Sequence, residues 1–271
     1  MEHILDIFPL HKAFDSCGRG VKVAILDTGI DLKNACLQTR ISGIRDFCNP
    51  VAGTGQDLDG HGTELAGVIS LLAKDAGVLI GKIMPRNGFF TYDALEDGLR
   101  WAIRESADII CIASGERYPN HYVHEVLKNA VGDSKIVVLS AIGNEGGRSV
   151  DSGYFPARFE ECLAVGSINE KGDVAVFSDD NPTLQILCAP GEKITTFSLT
   201  GELEERAGTS ISTAYVSAVM AVVISRMKEM HIEVNPKDLK SRIFETAILK
   251  NQNSGKLYIL DSLALMQSCL R

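Results

Sequence analysis

Short apolar runs alternate with longer segments of helical pattern along most of this chain, and that alternation limits the folds it can adopt. Strands that alternate with helices favour a mostly parallel sheet covered by helices on both faces. The predicted fold class is therefore α/β. Strands are predicted over 21–26, 41–47, 78–84, 108–113, 136–141, 162–168 and 184–189, followed by a β-rich stretch that runs through about residue 207. Helices are predicted over 61–72, 91–105, 121–131 and 211–230, and near 236–246 and 260–269.

The chain is long and apolar enough to bury one large core. It has 271 residues, of which 45% are hydrophobic and 23% are charged. The sequence contains no internal repeat, no low-complexity tract and no linker rich in proline, glycine and serine. We therefore expect residues 1–271 to form a single domain.

Three residues suited to nucleophilic catalysis stand at predicted strand ends and helix starts. Asp27 follows the apolar run 21–26, His61 lies between two glycines at the head of a helix, and Ser210 precedes a long apolar segment. A serine hydroxyl is a weak nucleophile at neutral pH and needs a base, and that base needs a third group to fix its tautomer. His61 and Asp27 are the candidates for these two roles. The predicted site lies at the carboxyl edge of the sheet, where active sites of open α/β sheets are found.

The motifs around these residues are more specific than the residues alone. Asp27-Thr28-Gly29, His61-Gly62-Thr63 and Gly208-Thr209-Ser210 follow one another in the chain order Asp, His, Ser. At these positions the chain resembles the subtilisin-like serine proteases, or subtilases. The resemblance implies a three-layer subtilisin-like fold and a serine endopeptidase that works through an acyl-enzyme intermediate. It extends over almost the whole chain through Phe155-Pro156-Ala157, Leu163-Ala164-Val165-Gly166-Ser167, Phe177-Ser178 and Ala189-Pro190-Gly191.

A fourth motif supplies the group that would stabilise the oxyanion. Asn144 ends the turn Ala141-Ile142-Gly143-Asn144, which follows an apolar run. The resemblance implies that this asparagine donates a hydrogen bond to the oxyanion and that the backbone N–H of Ser210 is the second donor. Removal of such an asparagine from subtilisin itself slows catalysis by about a hundred- to a thousand-fold.

The resemblance also implies a pocket for the substrate residue that precedes the cleaved bond. Tyr154 stands at its base, where well-known relatives have glycine, and a ring there predicts a preference for small or medium side chains. The alternative is that Tyr154 turns outward and leaves the pocket open. The walls would come from Ala113, Ser114, Gly115, Ala141, Ile142 and Gly143.

The chain departs from the family pattern in several places. Ala113-Ser114-Gly115 replaces the usual Ser-Leu-Gly, so the side-chain preferences of relatives do not transfer directly. Main-chain pairing with substrate tolerates this change, because the backbone makes the bonds. Glu64 replaces a common histidine, and Ala214 and Tyr215 replace proline and histidine. The resemblance does not assign a catalytic role to any of these positions.

The net charge, the apolar runs and the cysteine content indicate which partners and which cellular compartment to expect. A formal net charge of −8 argues against nucleic acid as a partner. The longest apolar run, about 214–224, is too short to span a bilayer, and residues 1–6 lack the pattern of a signal peptide. Seven cysteines, an odd number without a Cys-x-x-Cys pair, fit free thiols in a reducing cytosol. We therefore predict a cytoplasmic protein that acts on a protein or peptide substrate.

Neither a metal site nor a cofactor is predicted. Asp57 and Asp59 begin a segment like an EF-hand loop, but Val68 occupies the position of the essential carboxylate. His121 and His124 share a helix face without further ligands. Many relatives insert a calcium-binding loop in the helix that carries the catalytic histidine, but here residues 71–77 pass directly into the strand at Val78, and no need for tight calcium is predicted.

Two questions about function stay open at this stage. Only 26 residues precede Asp27, too few for the folding propeptide of secreted subtilases, so either control lies elsewhere or the chain is the catalytic module of a longer protein. Regulatory domains or partners are compatible with both. The alternatives to a general endopeptidase are a catalytically silent binding or regulatory module on the same fold, and a peptidase dedicated to one precursor or partner.

Overall fold

The computed structural model describes residue 10 and residues 17–85, 90–252 and 255–271, and within them a nine-stranded sheet forms the centre of the molecule. The strand order across this sheet is β10-β11-β7-β6-β5-β4-β1-β3-β2, and β8 and β9 form a separate hairpin. The strands are β1 (Lys22–Asp27), β2 (Ile41–Asp46), β3 (Gly77–Lys82), β4 (Ile109–Ile112), β5 (Val137–Ala141), β6 (Cys162–Ile168), β7 (Ile186–Pro190), β8 (Ile194–Phe197), β9 (Leu203–Arg206), β10 (Ile248–Gln252) and β11 (Gly255–Ile259). All neighbours in the large sheet are parallel except β10 and β11.

Helices cover both faces of this sheet. The described helices are α1 (Ala35–Gln38), α2 (His61–Leu72), α3 (Tyr92–Arg104), α4 (His121–Gly132), α5 (Thr209–Glu229), α6 (Pro236–Thr246) and α7 (Ser262–Cys269). Helices α2 and α5 pack against each other and bury the larger apolar core on one face of the sheet. On the opposite face, α3 and α4 pack together over a second core. The predicted three-layer α/β fold with a mostly parallel sheet is confirmed.

Helix α5 is the central core helix. It is long and apolar enough to cross a membrane by length and composition, although the apolar run within it was expected to be too short. In the structure 94% of its most apolar window is buried inside the fold. A helix that is apolar on all sides is typical of a protein core as well as of a membrane span, and here strands β4 to β7 and helix α2 surround it.

The predicted elements agree with the structure to within a few residues, but the edge of the sheet was not predicted. Strands β10 and β11 form an antiparallel hairpin that adds to the parallel sheet beside β7.

The signal-peptide prediction concerns residues 1–6, which lie outside the described residues. Cys111 and Cys188 are buried in strands β4 and β7 as free thiols, and Cys36 and Cys48 are free thiols at exposed positions.

Candidate active site

Four predicted site residues lie at the carboxyl edge of the sheet. Asp27 is the last residue of β1, and Asn144 follows the end of β5. His61 is the first residue of α2, and Ser210 is the second residue of α5. Asp27 and Ser210 are 1% and 6% exposed, whereas the side chain of His61 keeps 30% of its surface in contact with solvent. The Asp27 carboxylate is therefore buried, while the His61 ring stays accessible to solvent.

Asp27 and His61 form a direct hydrogen-bonded pair. The Nδ1 atom of His61 donates to Oδ1 of Asp27 at 2.8 Å, and the backbone N–H of Thr28 donates to the same oxygen at 2.8 Å. The hydroxyl oxygen of Thr28 accepts from the backbone N–H of Gly62 at 2.8 Å. A Cβ atom at Gly62 would lie 2.3 Å from the carbonyl oxygen of Gly29, so only glycine allows α2 to approach this closely.

Asp57 fixes the start of α2, and with it His61. Its Oδ1 atom accepts from the backbone N–H of Gly60 at 2.9 Å, and its Oδ2 atom accepts from the N–H and the hydroxyl of Thr63 at 2.9 and 2.7 Å. These bonds satisfy donors that a helix N-terminus otherwise leaves without partners. Burial favours the neutral acid, but the hydrogen bonds outweigh it and lower the pKa of Asp57. The carboxylate therefore caps a helix.

The electrostatic environment favours the imidazolium form of His61. Burial alone would lower its pKa, but the charge of Asp27 and the hydrogen bond to it outweigh burial. Glu64 and Asp59 add smaller contributions of the same sign, and the pKa rises from 6.5 to about 9. The site thus stabilises a proton on His61, which is the state that a general base reaches after it accepts a proton.

Donor groups converge beside Gly208, the residue before α5. A Cβ atom built on Gly208 would lie 3.0 Å from Oγ of Ser210, 3.7 Å from Nδ2 of Asn144 and 3.8 Å from the backbone nitrogen of Ser210. Gly208 has a φ of 149°, a conformation that side chains disfavour. The backbone N–H groups in the first turn of a helix have no helical acceptor. The small space beside Gly208 can therefore hold a negatively charged oxygen.

Thr209 sets the orientation of the Asn144 amide. Its backbone N–H and its hydroxyl both donate to Oδ1 of Asn144, at 2.9 and 3.0 Å. Because donors occupy the carbonyl oxygen, the other end of the amide, Nδ2, is left to donate toward Ser210.

The Tyr154 ring lies between the two walls of the predicted pocket. A Cβ atom at Gly143 would lie 2.7 Å from a carbon of this ring, and one at Gly115 would lie 2.6 Å from Cβ of Tyr154. The hydroxyl of Tyr154 donates to Glu145 at 2.6 Å. Arg117 pairs with Glu145 at 2.7 Å, and its guanidinium lies 5.7 Å from the centre of the ring. These contacts fix the position of the Tyr154 ring beside Gly143.

The other predicted pocket residues contribute in different ways. Ala113 and Ala141 are nearly buried, and the hydroxyl of Ser114 is buried without a hydrogen-bond partner. Ile142 is fully buried, and its side chain packs in a small core with Ala157. Its backbone alone borders the cleft, where its carbonyl accepts from the N–H of Tyr154 at 3.0 Å.

Sequence reasoning missed several residues that position the site. Thr28 and Thr209 were read only as parts of motifs, and Asp57 only as part of a rejected metal loop. A hydroxyl or carboxylate next to a helix start is a signal for capping that could have identified Asp57. Within the described part of the chain, no group of three or more His, Cys, Asp or Glu side chains could hold a metal ion. His124 instead contacts Glu161 at 2.9 Å.

The parallel α/β sheet and the hydrogen-bonded Asp27–His61 pair at its carboxyl edge indicate a peptidase of α/β architecture. A model of the subtilase family matches residues 18–262, and the chain therefore belongs to that family. It is a subtilisin-like serine endopeptidase.

Known relatives and solved structures agree with this placement. An intracellular serine protease of Paenibacillus polymyxa is 36% identical over 221 residues, which cover 76% of this chain and 67% of the relative. The major intracellular serine protease of Bacillus subtilis (strain 168) is 32% identical over 228 residues, which cover 78% and 70%. The crystal structure of a lanthipeptide protease superposes with a TM-score of 0.85 over 98% of this chain and 92% of that one, at 18% identity, and is similar in fold.

Proposed function

We propose that Ser210 is the nucleophile of this peptidase, that His61 is its general base and then its general acid, and that Asp27 orients His61. Asn144 and the backbone N–H of Ser210 are the oxyanion donors. The observation that carries the proposal is the convergence beside Gly208 of the Ser210 hydroxyl and two donors. The hydrogen bond between His61 and Asp27 supports the roles of those two residues.

The proposed reaction proceeds through an acyl-enzyme. Oγ of Ser210 attacks the carbonyl carbon of the substrate, and its proton passes to Nε2 of His61. The carbonyl oxygen becomes an oxyanion and accepts hydrogen bonds from Asn144 and from the Ser210 N–H. The C–N bond then breaks, and His61 gives its proton to the leaving amine. Water attacks the ester in the same way, with His61 as base, and releases the acid and free Ser210.

The charged neighbours of His61 support this role. A positive imidazolium forms in each step, and the Asp27 carboxylate at 2.8 Å stabilises it. The same interaction raises the pKa of the free histidine. The active form of the free enzyme needs a neutral His61, so activity is proposed to rise as pH increases through this pKa.

The proposed substrates are proteins or peptides with a small or medium residue before the cleaved bond. The Tyr154 ring, held by Glu145 and Arg117, takes the space that a large substrate side chain needs. In a hydrophobic pocket a misfit of one methylene changes the free energy of the transition state by about 1–3 kcal/mol.

The proposed setting is limited proteolysis in the cytoplasm. Support comes from the free cysteines and from the two relatives named as intracellular proteases. The proposed organisation is one peptidase domain over residues 1–271, and a regulatory domain or partner stays a prediction. The absence of nucleic-acid and membrane partners is likewise still a prediction.

Cleavage of a quenched fluorescent peptide library by purified protein tests the proposed roles. Wild type should turn over, and Ser210→Ala and His61→Ala should each lose nearly all turnover while melting as wild type does. A wild-type protein that melts cooperatively but cleaves nothing would favour the silent binding module. Activity that survives in Ser210→Ala would assign the nucleophile elsewhere.

A further inference from the structure

We propose that Asp179 is a positioning residue that holds Asn144 in place by clamping the loop on both sides of it. The inference rests on the proposed role of Asn144 as an oxyanion donor. Asp179 lies on the segment after Phe177-Ser178, far from the catalytic motifs in sequence.

Two hydrogen bonds join Asp179 to the loop, one on each side of Asn144. The backbone N–H of Asp179 donates to the carbonyl oxygen of Gly143 at 3.0 Å. Its side-chain Oδ1 accepts from the backbone N–H of Gly147 at 2.6 Å. One residue thus fixes the loop immediately before Asn144 and three residues after it.

A substitution at residue 179 can remove the side-chain bond of this clamp and leave the neighbouring backbone bonds in place. The N–H of Gly146 donates to the carbonyl of Phe177 at 2.7 Å, and the N–H of Asp180 donates to the carbonyl of Gly147 at 2.8 Å. Both are backbone bonds and survive any substitution except proline. The bond from Gly147 to Oδ1 depends on the identity of residue 179, so it can be removed alone.

Asp179 is buried, and its acceptor oxygen matters more than its charge. The residue is 3% exposed, and its Oδ2 atom is buried without a hydrogen-bond partner. Burial of a carboxylate costs free energy of folding unless the group is hydrogen-bonded or paired with a charge. Burial also raises its pKa, although backbone N–H groups partly offset this effect. Asparagine keeps an acceptor oxygen for the Gly147 N–H, so Asp179→Asn can retain this bond while it removes the charge.

The clamp acts on catalysis through Asn144, whose contacts with Thr209 hold only the side-chain amide. Thr209 holds the amide oxygen of Asn144, but this contact orients the side chain only if the loop beneath it is fixed. A displacement of about 1 Å can cost a hundred-fold in rate. Loss of the clamp should therefore lower kcat with little change in KM, because the oxyanion donor acts in the transition state.

A double-mutant cycle tests this coupling. Asp179→Ala is expected to lower kcat on a peptide with alanine before the cleaved bond by about ten-fold or more, with KM within about two-fold. In an Asn144→Ala background the same change should lower kcat by less than about two-fold. An equal fall in both backgrounds would overturn the proposal, since Asp179 would then act independently of Asn144.

Two matched variants separate positioning from folding. Asp179→Asn keeps the acceptor for Gly147 and should retain kcat within about three-fold. Asp180→Asn removes the neighbouring carboxylate, whose nearest cation is Arg148 at 3.9 Å, and should leave kcat unchanged. Loss of activity in Asp179→Asn equal to that in Asp179→Ala would contradict the assigned role of Oδ1.

Hydrogen exchange gives a readout that does not depend on activity. In Asp179→Ala, amides over 143–148 should exchange faster than in wild type, while those over 137–141 should not change. Unaltered exchange over 143–148 would overturn the clamp even if activity fell. If Asn144→Ala were fully active, the proposed function of Asn144 would fail, and the exchange result would still decide whether Asp179 fixes the loop.

Discussion

Replacing Tyr154 with glycine should open the pocket for large substrate side chains. The ring lies beside Gly143, and the Cβ atom of Tyr154 lies beside Gly115, so Tyr154→Gly removes the side chain from between these two proposed walls. An aromatic side chain that becomes buried there gains about 1.5–3 kcal/mol of transfer free energy. Since about 1.4 kcal/mol corresponds to a factor of ten, the preference for phenylalanine over alanine should rise by about ten- to a hundred-fold.

The assay is a comparison of kcat/KM for two fluorogenic peptides that differ only in the residue before the cleaved bond. Wild type should prefer alanine, and Tyr154→Gly should shift toward phenylalanine by the factor given above. Tyr154→Phe is the matched control, because it keeps the ring and loses only the hydrogen bond to Glu145. An unchanged ratio in a Tyr154→Gly protein that melts normally would refute the reasoning, since the ring would then not fill the pocket.

Three further outcomes are expected. Asn144→Ala should lower kcat by about a hundred-fold or more with little change in KM, as steady-state kinetics would reveal, because the lost donor acts in the transition state. The kcat/KM of wild type should rise with pH through the raised pKa of His61, which is about 9. Glu64→Gln should move this rise to lower pH, because the Glu64 carboxylate helps to raise the pKa of His61. A rise that stays at the same pH or moves to higher pH would contradict this electrostatic account. Thermal melts with and without a metal chelator should coincide, because residues 73–76 alone connect α2 to β3, and a large loss of stability with chelator would indicate a bound ion.

The sequence was sufficient for the architecture because its local signals agree with one another. Helix α2 begins at His61 and ends at Leu72 as predicted, since glycines flank the start and the apolar pattern stops at the end. The hairpin of β10 and β11 was missed because lysine, asparagine and glutamine interrupt its apolar pattern. Its place in the sheet depends on contacts with β7 that are distant in sequence.

The site was predictable as a set of residues but not as a geometry. Motif order indicated Asp27, His61, Asn144 and Ser210 as partners. The pattern contained nothing about the direction of the Asn144 amide, which Thr209 sets from 65 positions away. Whether the Tyr154 ring fills the pocket stays a prediction, because its position depends on contacts with Glu145 and Arg117 that the motifs do not contain. Long-range hydrogen bonds of this kind leave no local periodicity in a sequence.

Covalent labelling tests the central claim most directly. A fluorophosphonate should react with the hydroxyl of Ser210, with loss of fluoride, and peptide mapping should find one label on Ser210. The label should be absent from Ser210→Ala, whose melting temperature should stay close to that of wild type. A label that persists in this variant, or that maps to another serine of the wild type, would contradict the proposed site.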